Sequence, residues 1–168
     1  YTDTNGDGKL DNGDKLLGTM TELDGGVYQM KELRYGKYLV REKTAPTGFV
    51  LDENVYSVSI EENGKTYTVE NKAGVGFIND AQKGSLKIVK TSSDGKVEGF
   101  SFRVTSADGY DQTFKTDKNG EIFIEGLRIG EYTVSEVSDS VSAGYILPAD
   151  KQATVKVGAT TIVEMHNE

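Results

Sequence analysis

Apolar and polar residues alternate over short stretches of this chain, with glycine-containing turns between them. Val55–Ile60, Leu86–Lys90, Ile122–Ile124 and Tyr132–Glu136 are rich in Val, Ile, Thr, Tyr and Phe, residue types that suit a pleated, half-buried surface. Tyr56-Val58-Ile60 and Leu86-Ile88-Lys90 follow the period of two that sets alternate side chains on one face of a strand. The intervening pairs Asn12-Gly13, Asn63-Gly64, Asp94-Gly95, Asp108-Gly109 and Asn119-Gly120 tolerate the positive φ of tight hairpin turns. No long helical periodicity is present, and Asn12–Met20 could form a turn or two of helix at most. The pattern predicts an all-β protein.

The pattern also repeats. KELRYGKYLVRE (Lys31–Glu42) aligns with EGLRIGEYTVSE (Glu125–Glu136) at an offset of 94, with six of twelve positions identical. Downstream, Gly48-Phe49-Val50 corresponds to Gly144-Tyr145-Ile146, and the apolar run ending in Asn79 to the one ending in Asn167. A repeat of this length predicts tandem domains of one fold. The polar stretch Ala81–Gly84 separates them, which sets the domains at 1–83 and 84–168.

Composition narrows the function. The 168 residues carry 27 acidic and 19 basic side chains, a net charge of −8, and no basic cluster. Nucleic acid and anionic membrane surfaces are therefore poor partners. No apolar run approaches the length of a membrane span. With no cysteine and a single histidine, disulfides, thiolate metal sites, multi-histidine zinc sites and a Ser-His-Asp triad are ruled out or nearly so. Each half carries a charge of −4, from 10 basic and 14 acidic residues before Gly84 and 9 and 13 from it onward, so neither is a charged tail.

At this point the residues resemble a known family. Gly84–Lys96, then Thr116–Glu136, then a terminal apolar strand ending in Asn167 are similar to a Cna B-type domain, the prealbumin-like, immunoglobulin-like β-sandwich of Gram-positive adhesins and pilins. The first half carries that family's E-x-x-A-P-x-G-Y/F signature as Glu42-Lys43-Thr44-Ala45-Pro46-Thr47-Gly48-Phe49. In the second half Val137–Ala143 replaces the compact A-P-x segment, leaving Gly144-Tyr145.

The resemblance implies an intramolecular amide bond between a lysine on the first strand and an asparagine on the last, assisted by a buried glutamate. Carried over position by position, these are Lys90, Asn167 and Glu136. Alternation supports the assignment separately: Leu86-Ile88-Lys90, Tyr132-Val134-Glu136 and Val163-Met165-Asn167 each put the polar residue in phase with two apolar ones. Burial would strip the lysine of its proton and free the amine lone pair. Glu136, holding a proton, would polarise the amide and carry protons as ammonia departs. Such a reaction turns over once, so it is maturation rather than enzymatic activity. A buried Lys–Glu ion pair beside an amide, with no bond formed, is the alternative.

In the first half Glu42 and Asn79 occupy the matching positions, with Tyr38-Val40-Glu42 and Phe77-Asn79 in the correct phase. The lysine counterpart would precede Tyr1. Either the sequence starts within the domain, near the end of its second strand, or a separate lysine-bearing strand completes it along an open edge.

Asp3–Asp14 follows the twelve-residue calcium-loop pattern, with oxygens from Asp3, Asn5, Asp7, the Lys9 carbonyl, Asp11 (directly or through water) and Asp14, and Gly8 at the sharp turn. The last position is Asp rather than Glu, and no clear helix pair flanks the loop. A solvated Asp/Asn/Gly hairpin is the alternative. Elsewhere, His166 falls on the outward phase of its strand, while Phe102, Phe123, Tyr132 and Tyr145 read as core. Glu53, Glu61 and Glu62 read as surface and lack the context of a glycosidase pair. Leu147-Pro148-Ala149-Asp150 lacks the Thr-Gly and apolar anchor of a sortase signal.

Together these readings, with the resemblance supplying the location, imply a stalk of a Gram-positive cell-wall-anchored surface adhesin or pilin. Its partners are neighbouring domains of the same surface protein or pilus, with an unidentified host ligand beyond. A host-ligand or carbohydrate-binding module is the competing reading.

Overall fold

The alternating stretches become strands. The computed structural model describes residues 1–70 and 76–168. The first strands are β1 (Thr21–Glu22), β2 (Tyr28–Gln29), β3 (Gly36–Arg41) and β4 (Val55–Ile60), with one 3-10 turn at Asp24–Gly26. They are followed by β5 (Lys83–Ser92), β6 (Ser101–Ser106), β7 (Asp111–Lys115), β8 (Glu121–Arg128), β9 (Gly130–Glu136), β10 (Lys151–Val155) and β11 (Thr160–Asn167). Among the described residues no helix is long and apolar enough to cross a membrane.

The chain divides into Tyr1–Asp80 and Ala81–Glu168. This lies slightly before the division expected at residues 83/84, because Gln82 and Lys83 are already tied to the second unit. Ile129 N–H donates to the Gln82 carbonyl at 3.2 Å, and Gly158 N–H to that of Lys83 at 2.9 Å.

In the first unit β3 and β4 pair antiparallel, with Tyr38 opposite Val58, and β1 pairs with β2. The free side of β3 is taken by Tyr1–Asp3: Thr2 bridges Tyr38, and Asp3 N–H donates to the Lys37 carbonyl at 2.9 Å. In the second unit Ser106 at the end of β6 lies opposite Tyr132, the repeat equivalent of Tyr38. Thr2 thus holds the place of a residue at the end of the second strand.

The second unit has two sheets, one ordered β10-β9-β6-β7 and the other β11-β5-β8. Apolar side chains from both sheets form one core: Leu86 and Ile88 of β5, Phe102 and Val104 of β6, Ile122 and Ile124 of β8, Val134 of β9, Val155 of β10, and Val163 and Met165 of β11. The first and last strands of the unit, β5 and β11, run parallel side by side, with Ile88 opposite Val163 and Ser92 opposite Asn167. A parallel pair needs a long crossover, and here the whole remaining sandwich is the crossover.

Two local expectations need correction. Phe123 is 54% exposed, because Ile122 and Ile124 take the inward phase of β8 and the pleat turns Phe123 outward. Gly13 does not adopt a positive φ; its N–H instead donates to Asp11 Oδ1 at 2.7 Å, an Asx turn that needs no left-handed residue.

Candidate functional site

The repeat is visible as geometry before any chemistry. Tyr38 Oη donates to the Arg34 carbonyl at 2.7 Å, and Tyr132 Oη to the Arg128 carbonyl at 2.9 Å. The Leu-Arg-x-Gly-x-Tyr identity therefore encodes a tyrosine that ties its strand to the preceding turn. From there Glu42 and Glu136 lie four residues on, each directed at an asparagine.

In the second unit that asparagine is Asn167. Its Nδ2 donates to Glu136 Oε1 at 2.7 Å. Asn167 is fully buried on β11 and Lys90 is 1% exposed on β5, so the parallel register brings both to the same end of the core. Glu136, half-buried, reaches them from the opposite sheet. The structure thus gathers the three residues that alternation placed inward, one from each of three strands.

The polar groups there are incompletely matched. Among the described residues Glu136 Oε2 and Asn167 Oδ1 are buried acceptors without a donor, which is costly in an apolar interior. Lys90 Nζ has protons to give: it donates to the Thr91 carbonyl at 2.5 Å and stands 4.5 Å from the centre of the Phe100 ring. Among the described residues Lys90 makes no ion pair within 4.0 Å, so the simple buried Lys–Glu pair is not the observed arrangement. Burial holds the Lys90 amine below its ordinary value, opposed by the negative charges of Glu136 and Asp94. A lowered lysine value means a larger neutral, nucleophilic fraction.

Sequence reasoning missed three contributors. Phe100 lies just before β6 and supplies the ring beneath the amine. The Thr91 carbonyl accepts its proton. Asp94, read only as a turn residue, accepts from Tyr145 Oη at 2.6 Å. The Asp-Gly turn and the Gly-Tyr pair were both visible in sequence, but no periodicity links positions so far apart. His166 is exposed as expected, its Nδ1 2.8 Å from Thr91 Oγ1.

In the first unit Asn79 Nδ2 donates to Glu42 Oε2 at 2.7 Å and to the Val50 carbonyl at 3.0 Å. Glu42 Oε2 also accepts the Asp52 N–H at 2.7 Å. The acid–amide contact of the second unit is therefore present here, although residues 77–79 are not in a strand.

The acidic loop folds around its own N–H groups. Asp3 Oδ2 accepts from Gly8 N–H at 3.0 Å, Asn5 Oδ1 from Asp7 at 3.0 Å, and Asp7 Oδ1 from Lys9 at 2.8 Å. Asp14 accepts from the Thr4 and Asp11 N–H groups, the larger cause of its lowered pKa being the Thr4 bond. Asp11 accepts from Gly13 N–H and from Asn5 Nδ2. Among the described residues no three acidic, histidine or cysteine side chains converge as a metal cluster. One buried oxygen of the loop is unmatched: Asp3 is 8% exposed, and its Oδ1 has no donor among the described residues.

Comparisons with known proteins bear on the fold. The Bacillus anthracis TIE protein superposes with a TM-score of 0.66 at 25% identity, over 86% of this chain and 26% of that one. This chain therefore spans about a quarter of that protein. The C-terminal fragment of pilus adhesin SpaC from Lactobacillus rhamnosus GG gives a TM-score of 0.53 at 14% identity, over 82% and 79% of the two chains. BcpA, the major pilin subunit of Bacillus cereus, gives 0.44 at 26% identity over 51% and 29%. No curated protein matches the chain in sequence. A family model described as the SpaA prealbumin-like fold domain matches residues 2–73 and again 84–168; the chain belongs to that family, with two copies in tandem.

Proposed function

We propose that this chain is a stalk segment of a Gram-positive surface pilin or adhesin, and that its second unit is locked by an amide bond between Lys90 Nζ and Asn167 Cγ. The carrying observation is the Glu136–Asn167 contact beside a fully buried lysine, with two acceptors left unmatched. Neutral Lys90 Nζ attacks Asn167 Cγ, Glu136 carries a proton from the attacking nitrogen to the departing amide nitrogen, and ammonia leaves. The product is a secondary amide, balanced by one ammonia and needing no cofactor. Joining adjacent first and last strands carries tension straight across the unit, which suits a stalk on the cell surface. Intact mass of the denatured chain is expected to fall by about 17 Da, the mass of one ammonia. An unchanged mass would overturn the bond and leave the stalk reading without covalent reinforcement. Glu42 and Asn79 are the acid and amide of the same device, and a separate lysine-bearing strand set beside them would complete it; an added strand of that kind should be trapped, raising the intact mass by its own mass less one ammonia, and absence of an adduct would exclude it.

Calcium at the acidic loop is part of the same proposal. Asp3, Asn5, Asp7, the Lys9 carbonyl, Asp11 and Asp14 would hold it, with Asp3 Oδ1 as the anchor. The ion would relieve repulsion among four carboxylates and so stiffen the loop against β3. Titration calorimetry should report one site of about 0.1–1 mM dissociation constant, the range of extracellular modules, and Asp3→Ala should abolish it. Flat heats with no thermal shift at 10 mM, about ten times the weaker limit of that range, would exclude the site.

A further inference from the structure

Near the amine lies a contact that no part of the reaction above uses. Tyr145 Oη donates to Asp94 Oδ2 at 2.6 Å, joining residues 51 positions apart. The other oxygen, Asp94 Oδ1, accepts from Ser92 Oγ at 2.8 Å and Lys96 N–H at 3.0 Å, so the carboxylate is fixed before Tyr145 reaches it. The Tyr145 ring meets the Phe100 ring edge to face, with centroids 5.5 Å apart, and Phe100 carries Lys90 on its face. A chain of contacts therefore runs from Asp94 through Tyr145 and Phe100 to the buried amine.

The same segment also grips the other reactant. Ile146 N–H donates to the Glu168 carbonyl at 2.7 Å, immediately after Asn167. The turn that carries Asp94 reaches Asn167 as well, through Ser93 N–H and the Asn167 carbonyl at 3.0 Å. Tyr145-Ile146 thus spans from the lysine side of the site to the asparagine side, and among the described residues the one side-chain hydrogen bond tying it to the β5–β6 connection is that of the Tyr145 hydroxyl to Asp94, beside the ring contact with Phe100.

We propose that the Asp94–Tyr145 hydrogen bond is a clasp over the outer end of the Lys90 pocket, and that both are positioning residues for amide formation. The proposal rests on the Lys90–Asn167 reading. Closed, the clasp keeps Phe100 against the amine and water away from it; open, the amine is hydrated and keeps its proton. The charges that face Lys90 are Glu136 from β9 and Asp94 from the turn, while Lys96 Nζ stands 5.9 Å from the centre of the same Phe100 ring. Asp94 has two opposed effects: it anchors the clasp, and its charge favours the protonated amine.

The two effects separate by mutation. The full chain is made by pulse-labelled cell-free synthesis at several pH values, quenched in acid at intervals and weighed intact. Tyr145→Phe keeps the ring on Phe100 and removes the hydroxyl; the rate of ammonia loss should fall about three- to tenfold, the scale of one partly exposed bond to a charged group. The pH at which the rate is half-maximal should also move up, since a hydrated amine holds its proton to higher pH. Asp94→Asn keeps a hydrogen-bonding partner for Tyr145 and removes the charge, so that midpoint should move down. A merely structural loss would slow the reaction equally at every pH and leave the midpoint in place. An unshifted midpoint in both variants overturns the clasp while the wild-type reaction stands. No ammonia loss in the wild type overturns the Lys90–Asn167 reading and the clasp with it.

Discussion

Asn167→Ala should keep the full mass apart from the substitution, and should lower the stability of the second unit by about 4–5 kcal/mol. The proposed amide bond would close a loop of 77 residues (167 − 90), and restricting that loop in the unfolded chain is worth about this much on the chain-entropy estimate. For a domain of this size the melting temperature should fall by roughly 20–30 °C. Glu136→Gln is the companion variant: it retains an acceptor for the Asn167 amide but cannot shuttle the proton, so it separates the covalent bond from local packing. Scanning calorimetry alongside intact mass reads both.

The Asn167→Ala variant should also acquire a pH dependence that the wild type lacks. Burial lowers the folded Lys90 amine below its ordinary 10.5. Between the folded value and 10.5 the unfolded chain binds more protons, so stability must rise with pH through that window and level off above it. Once Lys90 is an amide it no longer titrates, and this contribution disappears. A variant as stable as the wild type, with the same pH profile, would show that no bond had formed.

Phe100→Ala carries the other large effect. The side chain is fully buried, lies under Lys90, and meets Tyr145 edge to face at 5.5 Å. Removing a ring of this kind costs about 3–5 kcal/mol in lost burial and residual cavity. The denaturation midpoint should fall with the slope unchanged. Because the cavity opens beside the amine, the crosslinked fraction should fall too, and mass spectrometry should show two species. Phe100→Leu should restore most of the stability by refilling the space. Full crosslinking in Phe100→Ala would mean that the ring is packing alone and plays no part in desolvating Lys90.

Alternation makes the inward trio legible in the sequence. Lys90, Glu136 and Asn167 each continue an apolar phase, and a strand's period of two leaves no freedom about which face a residue takes once its neighbours are buried. The same rule exposes the error at Phe123. Residue type suggested core, but the phase set by Ile122 and Ile124 decides, and an aromatic between two inward residues must point out.

The internal repeat was legible for a similar reason. Leu, Arg, Gly and Tyr recur because a tyrosine hydroxyl must reach an arginine carbonyl four residues back, a local requirement written in adjacent positions. The acidic loop was likewise readable as a spacing, since Asn5 and Asp7 each accept from the N–H group two residues on.

By itself, then, the sequence determined the all-β class, the tandem organisation, and which polar residues face inward, because strand phase and turn chemistry are local. The tertiary structure decided what those residues meet. The parallel register of β5 on β11 puts Lys90 and Asn167 at one end of the core, and the opposing sheet brings Glu136 to within 2.7 Å of the amide. Phe100 beneath the amine and the Tyr145–Asp94 contact join positions ten and 51 residues apart. Such meetings depend on how sheets stack and loops return, and no periodicity along a chain encodes them.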